Sequence, residues 1–214
     1  MIQISEKKPA LSTGKLITLE EFLDWYPKDS GTYELYNGVI VEMITIGSHE
    51  KVTSFLLLKL AFQIESFTLA YLLSQEVFIK AINSDETGFK PDLIIFDKNA
   101  LNNEPMWEKR STITQGKTVR LVIEVVSTNW EDDYQRKLEC YEKLGIPEYW
   151  IVDYLGLGGR RFIGHPKQPT ISIYQLIEDE YMVKQFRGNE RIESNIFPDL
   201  NLTAQQIFDE GILS

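Results

Sequence analysis

A single α/β or α+β domain around a mixed central β-sheet is the architecture this sequence predicts. Three observations point to it. A strand–helix–strand pattern runs through residues 118–153, an Asn37-Gly38 hairpin signal lies near the start, and two further strand patterns with a terminal helix close the chain. No repeat, low-complexity tract or domain boundary interrupts these segments, so the 214 residues read as a loose arm over 1–15 and one domain over 16–214.

The arm, MIQISEKKPALSTGK, is polar and lysine-bearing and lacks the apolar core of a signal peptide. Thr18-Leu-Glu-Glu21 is a capping box, predicting a short helix through Phe22 to Tyr26 that stops at Pro27. YELY, Asn37-Gly38 and VIVEMI predict a hairpin, because both central residues of a type I′ turn take positive φ. From about 48 to 67 the spacing is helical, with Ser48 as the expected cap. Val52, Phe55, Leu56, Leu58, Leu60 and Phe62 spread around this helix and leave a narrow polar stripe through Lys59, Gln63 and Ser66, which predicts burial on more than one side. Strand patterns follow at 71–81, 90–96 and 118–126, with a polar, aperiodic loop at 98–117. Residues 130–144 predict a helix stopped by Gly145 and Pro147. Strands are predicted at 148–153, 170–177 and 181–187, a Gly- and Pro-rich connection at 155–169, and a last helix capped by Thr203.

An apolar fraction of 43% with 12% aromatics fits a folded chain. No apolar run approaches the roughly 20 residues that span a bilayer. The lone cysteine, Cys140, excludes an internal disulfide and suits a reducing environment. The expected setting is the cytoplasm, with no membrane association. The formal net charge of −10 opposes non-specific attraction to phosphate, so a nucleic-acid substrate has to meet a local basic strip, a recruited metal or a partner's surface.

The residue that stands out is Glu124, at the centre of RLVIEVVST. Alternation sends Val119, Leu121, Ile123 and Val125 to one face of the strand, and Arg120, Val122, Glu124 and Val126 to the other. Both faces are largely apolar, as in a central strand covered on both sides. An ionised carboxylate there needs an ion partner, hydrogen bonds or a metal, and Arg120, roughly 13 Å along the strand, is too far to serve. Asp92 is placed similarly, opening a hydrophobic strand just after Pro91. Asp133 and Lys137, at i,i+4, share one face of the helix that follows Glu124. Each has an ordinary explanation alone: a carboxylate at the sheet's rim, a turn-forming aspartate, a surface ion pair. Together they supply what metal-assisted phosphodiester hydrolysis requires. Two hard carboxylates suit Mg2+, the metal activates a water and steadies the leaving oxygen, and an amine neutralises charge that develops at phosphorus.

These residues resemble the PD-(D/E)XK, restriction-endonuclease-like superfamily and, within it, the Uma-two family. Pro91-Asp92 is similar to the PD element and Glu124 to the acidic position of (D/E)XK. The resemblance extends through Tyr33-Glu34-Leu35 with Asn37-Gly38, Glu42, Ser48-His49, and Ile123-Glu124-Val125 with Ser127. It continues through Asp133, Lys137, Tyr141, Gly145, 148–153 and Phe197-Pro198, so it covers nearly all of the chain after residue 15. It implies a restriction-endonuclease-like core with an N-terminal hairpin, and Asp92 and Glu124 as ligands of Mg2+, for which Mn2+ substitutes. The superfamily's lysine two residues after the glutamate is Val126 here. The family pattern implies that the amine comes from the following helix, as Lys137.

His49 and Glu42 are supporting candidates, with a capping role and an exposed strand position as their plainer alternatives; Asp133 would hold the lysine. Glu34 is read as a hairpin anchor. The Gly156 to Gly159 run lacks the ending and the following helix of a phosphate loop, and Ser127 has no histidine near it in sequence. The expected activity is a Mg2+-dependent endonuclease acting on DNA, with Asp92, Glu124 and Lys137 as the catalytic set. A catalytically inactive nucleic-acid or protein-binding module on the same fold is the alternative, and a hydrolase of another phosphoester is a third. The resemblance and the apolar excess of the helix near 55–64 imply a two-fold homodimer.

Overall fold

The computed structural model describes residues 16–27, 31–43 and 46–212; the expected arm over 1–15 lies outside the described residues. Helix α1 (Leu19–Trp25) begins at the anticipated capping box, where Thr18 Oγ accepts from Glu21 N and the Glu21 carboxylate accepts from Thr18 N. Strands β1 (Thr32–Tyr36) and β2 (Val39–Met43) form the hairpin. Asn37 and Gly38 turn it with φ of 48° and 74°, the left-handed pair a type I′ turn demands. The hairpin is not a free extension. β1 also pairs with β5 (Gly88–Phe89), β5 with β4 (Phe78–Lys80), and β4 runs parallel to β7 (Thr112–Ile113), giving a five-stranded sheet ordered β2-β1-β5-β4-β7.

The second sheet has six strands: β3 (Tyr71–Ser74), β6 (Leu93–Asp97), β8 (Val119–Val125), β9 (Glu148–Asp153), β10 (Thr170–Ile177) and β11 (Glu180–Phe186). Their order is β11-β10-β9-β8-β6-β3. β8 and β9 are parallel, joined by the helical crossover that parallel neighbours require; the other pairs are antiparallel. β8 is the central strand foreseen. Leu121, Ile123 and Val125 pack against Val52, Leu56 and Leu60 of α2 (Gly47–Ser66) and against α6 (Ala204–Gly211), while Val122 and Val126 pack with Tyr134, Tyr141 and Tyr149 on the other face.

Four expectations need correcting. The run 71–81 is two strands in different sheets, because the polar Ser74-Gln-Glu76 step turns the chain, with Ser74 Oγ accepting from Glu76 N. The loop at 98–117 is tied down by the buried Glu104 carboxylate, which accepts from Thr114 N, Gln115 N and Thr118 Oγ, and it includes the short helix α3 (Trp107–Arg110). α2 is buried on one side only: Leu58 and Phe62 are each 67% exposed. Ile46, without a side-chain bond, precedes α2, while Ser48 Oγ pairs with the Tyr154 hydroxyl at 2.8 Å. The helix after Glu124 starts at residue 130 as expected and carries a π-helical stretch over 132–137 that runs into α4 (Leu138–Lys143). The 155–169 connection contains a single short helix, α5 (Arg160–Ile163), among the described residues.

Candidate active site

The end of β8 gathers the site. Leu93 pairs with Ile123 across β6 and β8, so one further step sets Asp92 opposite Glu124 on the same face, where directly opposed Cβ atoms stand about 5 Å apart. Asp92 Oδ2 accepts from the Val125 backbone N–H at 2.7 Å and lies 3.2 Å from His49 Nε2. His49 is buried in the first turn of α2, which crosses this end of the sheet. Glu124 Oε1 accepts from the Tyr141 hydroxyl of α4 at 2.9 Å. Its other oxygen lies 3.1 Å from Lys137 Nζ.

Lys137 sits in a cage of carboxylates. Glu34 Oε1 is 3.1 Å from its ammonium and Asp133 Oδ1 3.5 Å, and Lys137 itself is 1% exposed. Glu34 also accepts from Lys90 N at 2.9 Å, locking the hairpin onto the site. The helix brings the Lys137 ammonium back to the end of β8, beside Glu124. A cavity of about 30 Å³, room for a water-sized species, is lined by His49, Asp92, Glu124, Asn129, Asp133 and Lys137 among others.

The charges are unbalanced. Burial works to strip Lys137 of its proton, but Glu124, Glu34 and Asp133 outweigh it and hold the ammonium well above its ordinary value. One cation does not satisfy them all. Burial pushes the Glu124 carboxyl well up against the pull of Lys137, and the Asp92 charge pushes it the same way. Burial likewise raises Glu34, and lifts Asp133 to about 7. For His49, burial would lower the imidazole, yet the Asp92 hydrogen bond and charge raise it.

The Uma2 family model, described as "Putative restriction endonuclease", matches residues 19–205. The chain belongs to the Uma2 family. A crystal structure from Anabaena variabilis ATCC 29413, titled a "putative nuclease belonging to DUF820", shares the fold with a TM-score of 0.69 and 16% identity, over 92% of this chain and 99% of that one. That identity speaks for the fold alone. None of the curated proteins compared matches.

In this Uma2 chain the fold brings five of the six residues singled out from sequence into one place: Asp92, Glu124, Lys137, Asp133 and His49. The sixth, Glu42, is exposed on β2 and does not line the cavity. Glu42 pairs with Tyr33 and Glu34 with Val41. Adjacent pairs point to opposite faces, so the hairpin delivers Glu34 and turns Glu42 away. Glu34, expected as a hairpin anchor, does tie the hairpin to Lys90 N, and it also meets the Lys137 ammonium, a contact that only the packing of distant elements creates. The Tyr141 hydroxyl bond to Glu124 depends on packing between distant elements.

The superfamily implies a divalent cation, and the donors fit one. Among the described residues no three His, Cys, Asp or Glu side chains are arranged to hold a metal unaided, because Glu34 and Asp133 are turned onto Lys137. Mg2+ needs only one or two carboxylates and completes its shell with water and substrate oxygens. Asp92 and Glu124 would provide that pair, and a cation between them would offset the Asp92 charge that, after burial, raises the Glu124 carboxyl.

Proposed function

We propose that this protein is a metal-dependent nuclease that hydrolyses phosphodiester bonds in DNA, with Mg2+ as the resident ion and Mn2+ able to replace it. The observation that carries this reading is the Asp92–Glu124 pair facing one small cavity with the Lys137 ammonium 3.1 Å from Glu124. Asp92 and Glu124 would hold the ion. When bound, it supplies an activated water and charge neutralisation at the scissile phosphate. Lys137 stands where negative charge grows as water adds to phosphorus and the ester bond breaks. Asp133 keeps the ammonium in place, and His49 orients Asp92 by fixing one of its oxygens.

Saturation of Lys137 by three carboxylates favours the other reading, a non-catalytic binding module on the same fold. One assay separates the two: cleavage of DNA, RNA and a small phosphodiester with Mg2+ or Mn2+, comparing wild type, Asp92→Asn and Glu124→Gln. DNA cleavage by wild type alone is the expected result; an equal background from all three proteins discards the nuclease reading.

Self-association as a two-fold dimer belongs to the same proposal. Leu58 and Phe62 are exposed on α2, and Leu57, Ala61 and Ile64 of the same helix line an apolar groove of about 570 Å³ against the edge strand β3. A cytoplasmic setting is proposed as well; among the described residues no helix is long and apolar enough to cross a membrane.

A further inference from the structure

An acidic protein that takes nucleic acid needs a local basic strip, and one segment of this chain is built like one. Between Asp153 and Glu178 there is no acidic residue, in a chain that has 32, whereas Arg160, Arg161, His165 and Lys167 all fall there. The segment is held in shape. The Asp153 carboxylate accepts from Leu157 N and Gly158 N, both at 2.8 Å, and closes its first turn. Gln185 Nε2 donates to the Phe162 carbonyl and Arg187 Nη2 to the Ile163 carbonyl, which pins α5 to the sheet. With Ile163 buried beneath it, α5 leaves Arg160 and Arg161 exposed.

These cations lack the direct ion pairs their neighbours have, although the Lys167 charge is felt by the Asp153 carboxylate. Arg136 is paired with Asp132 and Lys143 with Glu139, each at 2.6 Å. Among the described residues Arg160, Arg161 and Lys167 form no ion pair; Lys167 Nζ donates to the Leu157 carbonyl. An ordinary solvated surface explains one unpaired arginine, but three cations held on one pinned segment repel one another and present a field that suits phosphates.

The strip is continuous with the site. Trp130 packs against Phe162, ring centroids 6.1 Å apart, and Phe162 stacks on Tyr134 at 4.8 Å. Lys167 Nζ lies 5.9 Å from the Trp130 ring. Gly159 lets the segment approach this closely, since a Cβ there would meet the Trp130 ring at 2.8 Å. The residue before Trp130, Asn129, lines the cavity of Asp92 and Glu124. A strand whose phosphate enters that cavity therefore has the Trp130–Phe162 shelf and its cations beside it.

We propose that Arg160, Arg161 and Lys167, set on the Trp130–Phe162 shelf, dock the phosphate backbone of the DNA substrate next to the catalytic cavity. This deepens the nuclease reading and rests on it. The test is fluorescence anisotropy with a labelled 20-base-pair DNA duplex in EDTA over a range of salt. It compares wild type, Arg160→Ala/Arg161→Ala, Lys167→Ala and, as a charge-matched control on α3, Lys109→Ala. Each phosphate contact contributes about 0.9 to the slope of log affinity against log salt, so the double variant should lower that slope by about 2 and Lys167→Ala by about 1. Affinity of the double variant should drop about tenfold or more at 0.1 M salt, with Lys109→Ala unchanged. Unaltered slopes, an equal loss in Lys109→Ala, or no measurable wild-type affinity would each overturn the assignment. Tighter binding of an RNA duplex of the same sequence, lost in the same variants, would overturn its assignment to DNA. Because binding is read without metal, the two ideas fail separately. A protein that binds through the strip but never cleaves sinks the nuclease, and one that cleaves DNA equally well without its two arginines sinks the strip.

Discussion

Replacing Lys137 by alanine should weaken both cleavage and the fold, and the loss of stability should depend on pH. Its ammonium is 3.1 Å from oxygens of Glu124 and Glu34 and 3.5 Å from Asp133. At an effective dielectric of 20 a 3.1 Å pair attracts by about 5 kcal/mol gross, most of it offsetting desolvation, and breaking such a buried pair costs about 3–5 kcal/mol. Alanine leaves three buried carboxylates facing one another, and they respond by taking up protons. Burial already holds Asp133 at about 7 and keeps Glu34 and Glu124 above the ordinary carboxylate range; without the lysine they rise further. A carboxyl raised in the folded state favours folding fully below its unfolded pKa, and that favour is lost as pH climbs through the folded value. The deficit should therefore be greatest at pH 8 and shrink by pH 5. Urea unfolding in EDTA at both pH values, for wild type, Lys137→Ala and the volume-matched Lys137→Met, measures it. Cleavage should drop on the order of 100-fold, and Lys137→Arg should not restore it fully because a planar guanidinium does not reproduce a compact ammonium. Equal stability of Lys137→Ala and wild type at pH 8 would refute the account of the cage. A wild-type cutting rate in Lys137→Ala, with Glu124→Gln dead, would refute the amine's role.

Two other outcomes follow from the same geometry. Asp133, raised to about 7, should make the metal-free wild type lose stability as pH rises from 5 to 8, and Asp133→Asn should flatten that dependence in thermal unfolding; an unchanged pH profile would exclude Asp133 as its source. Phe62→Asp, placing charge on the exposed side of α2, should convert a micromolar dimer into a monomer by sedimentation equilibrium, and a wild type that is already monomeric removes the dimer proposal.

What the sequence determined by itself was everything encoded within a few neighbouring residues. The Thr18 capping box, the Thr203 cap and the Asn37-Gly38 turn are made by side chains and φ angles a few positions apart, and all three are present. Periodicity was enough to make β8 central, and an acidic residue in an apolar strand marked Glu124 and Asp92 as needing a special partner. Only the tertiary structure decided who the partners are. The split of 71–81 between two sheets, the anchoring of 98–117 by Glu104, and the choice of Glu34 over Glu42 depend on which strands become neighbours and in what register. A one-residue change of register turns a strand's side chains to the opposite face. Lys137 shows the reason most plainly. Its i,i+4 spacing from Asp133 reads as a surface ion pair, but the helix packs over the end of β8 and buries the amine among carboxylates brought there by β1, β8 and its own helix. Local spacing sets which face a charge occupies; what covers that face, and therefore the strength and chemistry of the charge, is settled by long-range packing.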